Sequence, residues 1–127
     1  MRISDLSAAT GCHVETIRYY EKIGLIPVPP RKNSYRNYDD GDVAHLAFVM
    51  RCRGLGFSLD ETRSLMDLSV ARDRSCRDVD AVVRNHLAQV EAKQKELAAM
   101  AEDLRAMLDD CAHETIANCN VVRTLSG

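Results

Sequence analysis

Cys111 and Cys119 are separated by seven residues, AHETIAN, enough chain to curl around one ion. Thiolates are soft donors, so such a pair selects thiophilic metals over magnesium or calcium. The segment around them is polar and offers no core in which a cysteine would be spent as a small hydrophobe. Cys12, Cys52 and Cys76 bring the total to five. An odd number, behind an N-terminus MRISDLSAATG with no apolar signal core, argues for a reducing cytoplasmic protein and against a disulfide framework. Cys12 and Cys52 fall in the front, basic half of the chain and are expected in a core, the commonest fate of a free cysteine. There is no Cys-x-x-Cys pair and no nucleophile set beside a base, so an enzyme is not expected.

The second chemistry on offer is cationic. The formal net charge of −2 conceals a polar distribution. Thr16 to Tyr38 holds Arg18, Lys22, Arg31, Lys32 and Arg36 against the single acid Glu21, whereas Ser64 onward carries eight basic and eleven acidic residues. Basic residues interleaved with Thr16, Tyr19, Tyr35 and Tyr38 suit a phosphate backbone and base edges, arginine through its two-pronged fork and lysine as a point charge. Tyr20, by contrast, is expected in the core.

These residues need elements to hold them. Ser4 to Thr10 reads as a short helix stopped by Gly11, and Val14 to Ile23 as a second one stopped by Gly24 and the prolines at 27, 29 and 30. Two short helices joined by a tight turn make a helix-turn-helix. RKNSYRNY, residues 31–38, reads as a small loop or two-stranded wing. Asp42 is the expected N-cap of a helix to Arg53, and Ser58 with Glu61 forms a capping box that opens the next helix. From Arg77 to Asp110, Val83, Val90, Leu97, Leu104 and Cys111 recur every seven residues, with Leu87, Gln94, Ala101 and Leu108 as the companion series. A lone helix cannot bury such a seam, so its partner is expected to be the same helix of a second chain. No apolar run reaches the roughly 18 to 20 residues that cross a bilayer, and no membrane partner is expected.

TIRYYEKIGLI at residues 16–26, RKNSYRNY and RCRGLGFSLDE at residues 51–61 together resemble the successive signatures of the MerR family of transcription regulators, in its divalent heavy-metal-sensing branch. The resemblance implies a winged helix-turn-helix, an antiparallel dimerisation helix, and activation by distorting a promoter for RNA polymerase. It assigns Arg18 and Tyr19 to DNA contact and Arg36 to the wing. Ser34 is a departure, since the family's wing more usually carries glycine there, and it bears on the turn geometry. The expected fold class is therefore all-α with a small β wing. Its parts are a DNA-binding domain at 1–70, a connector and antiparallel coiled-coil helix at 71–110, and a metal-binding loop and tail at 111–127.

An antiparallel pair brings the start of one long helix beside the end of the other, so Cys76 from the partner subunit would join Cys111 and Cys119, giving two equivalent sites. The resemblance also implies that Cys76 falls where divalent-ion sensors carry a third cysteine and monovalent copper and gold sensors carry serine. His113 could complete three sulfurs and one nitrogen, favouring zinc or cadmium; three sulfurs alone would suit mercury or lead. His13, His45 and His86 are expected to be structural. Alternatives within the family are a copper(I)-type or an oxidant-responsive regulator. Outside it stands a coiled-coil adaptor that binds protein alone.

Overall fold

The computed structural model describes residues 1–109 and 115–127. Two compact units divide them, Met1–Val82 and Val83–Gly127.

In the first unit α1 (Ile3–Thr10) ends because Gly11 turns left-handed at φ 77°, its N–H donating to the Ser7 carbonyl at 2.8 Å. α2 (Val14–Lys22) follows three residues later, and Gly24 at φ 74° releases the chain into the proline segment. Leu6, Ile17, Leu46 and Val49 are essentially inaccessible and knit α1, α2 and α3 (Asp40–Gly54) into one core, with Cys12, Tyr20, Leu25 and Ile26 buried around them. Each such aliphatic side chain contributes roughly 1.5–3 kcal/mol on full burial.

The wing is a two-stranded antiparallel ribbon, β1 (Arg31–Lys32) and β2 (Tyr35–Arg36), with Arg31 opposite Arg36 and Lys32 opposite Tyr35. Its two-residue tip places Asn33 at φ 52° and Ser34 at φ 72°, the double left-handed geometry of a type I′ hairpin turn. The serine thus takes the conformation glycine would have provided, at a cost of about 1 kcal/mol.

The start of α3 corrects the sequence reading. The N-cap is Asp39, not Asp42: Asp42 N–H donates to Asp39 Oδ1 at 3.0 Å, and Asp39 N–H donates to Asp42 Oδ2 at 2.9 Å. Asp42 is the reciprocal partner one turn in, because Asp40 and Gly41 are already helical. The Ser58–Glu61 box opens α4 (Leu59–Ser69) as expected, with bonds of 2.8 and 3.0 Å. Thr62, wholly buried, donates its hydroxyl to the Ser58 carbonyl at 2.8 Å and so carries no unmet polar group into the core.

α5 (Arg77–Asp109) begins after the charged connector. Its first residues close a small second core, in which Val79 and Val82 pack on Cys52, Phe57 and Leu65. In the second unit the helix exposes the expected seam: Val83, Leu87, Val90, Leu97, Leu104 and Leu108 are 38–65% accessible. Beyond a short 3-10 turn at Ile116–Asn118 comes α6 (Asn120–Ser126), where the sequence suggested only a loop and tail. Its β-branched valines and threonine are poor helix formers, which hid it. Asn120 Nδ2 donates to the Met107 carbonyl at 3.2 Å and fastens α6 to α5. Among the described residues no helix is long and apolar enough to cross a membrane.

Candidate nucleic-acid interface and metal-ligand cysteines

The period of α2 sorts its residues. Ile17, Tyr20 and Glu21, at spacings of three and four, face inward and are buried; Arg18, Tyr19 and Lys22 face out, and Thr16 is half-buried at the edge. Arg18 Nη1 donates to Glu15 Oε1 at 2.7 Å, but both side chains are more than half exposed. Such a pair is worth at most about 1 kcal/mol and leaves the arginine available to a phosphate.

Glu21 is the residue that sequence reasoning missed. Only 7% exposed, its carboxylate accepts one bond from Arg36 Nη1 and another, at 3.1 Å, from the Tyr38 hydroxyl. A buried carboxylate in a basic stretch is tolerated because both oxygens are satisfied and one partner is a cation. The signal was present in the sequence: the lone acid of that stretch shares the inward period with Ile17 and Tyr20.

Tyr38 requires a correction. Expected on the DNA face, it is 2% exposed and lies in the core, where its ring fills space behind the wing and its hydroxyl is committed to Glu21. Burial pushes its phenol pKa up; the hydrogen bond from Arg36 pulls it down and Glu21 pushes it up further. It therefore stays a neutral donor. Arg36 is only part-exposed and spends one nitrogen on Glu21, which aims the wing more than it presents a free charge. Backbone bonds from Asn37 N–H to the Pro30 carbonyl (2.9 Å) and from Tyr38 N–H to the Met1 carbonyl (2.8 Å) complete the wing's attachment.

The tip is open. Arg31, Lys32 and Tyr35 are exposed, with Arg31 Nη1 donating to the Ser34 carbonyl at 3.1 Å. Arg2, also missed, lies across the Tyr35 ring with its guanidinium carbon 3.9 Å from the centroid, a cation–π contact. Between the start of α1, α2 and the wing is a hollow of about 340 Å³ whose lining includes Arg2, Ser4, Arg18, Arg31, Tyr35 and Arg36.

The cysteines separate by environment. Cys12 and Cys52 are buried, and burial pushes both thiols above their ordinary value, which disfavours the thiolate a metal needs. Cys76 is exposed immediately before α5, and Cys119 is half-buried immediately before α6. Cys111 and His113 lie outside the described residues. Among the described residues of a single chain, no three His, Cys, Asp or Glu side chains are grouped to hold an ion. The donor chemistry of Cys76 nonetheless fits a soft metal: its thiol is accessible and no core claims it.

A helix-turn-helix with a basic wing on a mostly helical chain defines a DNA-binding transcription regulator. Residues 1–69 match the family described as MerR HTH family regulatory protein, and residues 43–107 that described as MerR, DNA binding. The Heavy metal-dependent transcription regulator 2 of Rhizobium meliloti is 36% identical over 99% of this chain and 86% of its own length. The crystal structure of the transcription regulator PbrR691 from Ralstonia metallidurans in complex with lead(II) is 38% identical, covers 98% of each chain and superimposes with a TM-score of 0.85. That of the dual function regulator MerR from Bacillus megaterium with mercury(II) is 29% identical over the whole of both chains, with a TM-score of 0.74. The chain belongs to the MerR family, whose members are transcription regulators and not enzymes.

Proposed function

We propose that this chain is a metal-responsive transcription regulator that binds promoter DNA as a homodimer and activates transcription by distorting that DNA when a divalent thiophilic ion binds. The reading is carried by one observation: an exposed thiol, Cys76, stands at the head of a 33-residue helix with an unburied apolar seam. At 1.5 Å per residue that helix is about 50 Å long, so an ion shared by cysteines at its two ends needs two antiparallel copies. The seam supplies the reason for them to pair. Cys76 of one subunit then meets Cys111 and Cys119 of the other, with His113 as a candidate fourth donor. Three thiolates around a divalent ion leave a net −1, the same as two around a monovalent one, so the third sulfur favours a divalent ion: zinc or cadmium where His113 completes the set, lead or mercury where the three sulfurs act alone. The lead and mercury complexes of the relatives support this ion class.

On the DNA side Thr16, Arg18, Tyr19 and Lys22 of α2 enter the major groove, and Arg31, Tyr35 and Arg36 of the wing reach flanking phosphates. The metal acts by its preference for one arrangement of the dimer, which it can shift only as far as that preference allows. RNA polymerase reads the outcome at the promoter.

A heterodimer of Cys76→Ser with Cys111→Ser tests the shared site. Cross-subunit ligation leaves one intact site per dimer, measured by cadmium–thiolate absorption; ligation within a chain leaves none. Full-strength copper(I) binding by Cys76→Ser with no cadmium response would move the reading to the monovalent class.

A further inference from the structure

The hollow between α1 and the wing holds more positive charge than the protein neutralises. Of its four arginines, Arg18 is paired with Glu15 and Arg36 with Glu21. Arg2 and Arg31 form no ion pair with any carboxylate among the described residues. The one acid in α1, Asp5, accepts from the Arg2 backbone N–H at 2.9 Å and forms no ion pair with the Arg2 guanidinium. Two arginines without a carboxylate partner, together with Ser4, thus line a space of about 340 Å³ whose charge suits an anion.

We infer that this hollow seats one phosphodiester of the DNA backbone, and that Arg2 is a DNA-binding residue supplied by a third element besides α2 and the wing. This inference rests on the DNA-binding reading above. Arg2 is suited to the task. The contact with the Tyr35 ring steadies its guanidinium without consuming an N–H, since a cation–π contact leaves the donors free. Arg31 is steadied differently, by a hydrogen bond that spends one of its nitrogens on the Ser34 carbonyl and leaves the rest available. A phosphate between them has two cations from segments twenty-nine positions apart, and clamps the start of α1 to the wing tip. The occupant is duplex backbone because the hollow opens beside Arg18 of α2, the residue expected in the groove.

The contact is read by its salt dependence. Each phosphate contact contributes a slope of about −0.9 in log K against log [salt], so one lost contact weakens binding about eightfold at 0.1 M salt and scarcely at all near 1 M. Anisotropy titration of the full-length protein into a fluorescein-labelled, mixed-sequence DNA duplex should show this loss once for each bound protomer in Arg2→Gln, with the slope reduced by about 0.9 per bound protomer. Arg2→Lys, which keeps the charge, should retain the slope. An Arg2→Gln variant with the wild-type slope overturns the inference while leaving the DNA-binding reading intact. So does a loss of affinity that is the same at all salt concentrations, since that marks a wing-folding effect. A wild-type protein that binds no duplex at low salt overturns both. Urea unfolding of the variants should match the wild type, because Arg2 is exposed.

Discussion

Replacing Glu21 with alanine sets two physical effects against each other at one position. On charge alone the change should tighten DNA binding, because it removes the only acid between Thr16 and Tyr38 and frees Arg36. The structure argues the opposite. Glu21→Ala strands the Tyr38 hydroxyl, 2% exposed, without an acceptor, which costs about 1–3 kcal/mol. Loss of the Arg36 bond adds less, about 1 kcal/mol, because that side chain is 30% exposed and can rehydrate. Urea unfolding of the full-length protein at fixed concentration should therefore show a loss of about 2–4 kcal/mol. Tyr38→Phe alone, which removes the donor along with its need, should cost about 1 kcal/mol, and the double variant should fall short of the sum by roughly 1–2 kcal/mol. Affinity for duplex DNA should drop in Glu21→Ala despite the extra net positive charge, because the wing loses its anchor to α2. Additive stability losses, or tighter DNA binding, would refute the view that Glu21 positions the wing.

Other consequences are simpler to check. Iodoacetamide should label Cys76 in the folded protein well before Cys12 and Cys52, whose burial and raised thiol pKa withhold the thiolate; mass spectrometry of peptides after graded alkylation measures the order. The same raised values make the protein alkali-sensitive. Cys12 and Cys52 are pushed above 9.0 and Tyr38 above 10.0, so the stability they contribute is complete below about pH 9 and declines as pH rises through their folded values. Urea midpoints taken across that range should fall, and less steeply in a Cys12→Ala/Cys52→Ala variant. Ser34→Gly should raise the unfolding free energy by up to about 1 kcal/mol by relieving the left-handed serine. Leu97→Glu with Leu104→Glu should shift the sedimentation coefficient from dimer to monomer, since both are exposed on the seam.

Local signals carried most of the fold into the sequence. Gly11 and Gly24 marked the helix ends, the Ser58–Glu61 box marked the start of α4, and the seven-residue repeat marked α5 nearly to its last turn. What stayed hidden was either locally ambiguous or nonlocal. Asp39 and Asp42 are equally good caps in isolation, and only the extra turn of helix before Asp42 decides between them. The period of α2 turns Glu21 inward, but the partners of Glu21, Tyr38 and Arg2 lie 15, 17 and 33 positions away, and no periodicity reports such pairings. α6 is held by its bond to Met107 against its own weak propensity. Cys12 and Cys52 were legible as core from the ordinary fate of a free cysteine, and Tyr20 from its helical spacing with Ile17.

The wing is two residues per strand, and a hairpin that short has almost no stability of its own. Its order is imported through its base, at Glu21, Pro30 and Met1, and none of those ties passes through Asn33 or Ser34. The tip is therefore an exchangeable cassette. Residues that accept a left-handed backbone, glycine, asparagine and aspartate above all, can be traded at positions 33 and 34 to change what the wing presents to DNA while the domain beneath it folds as before.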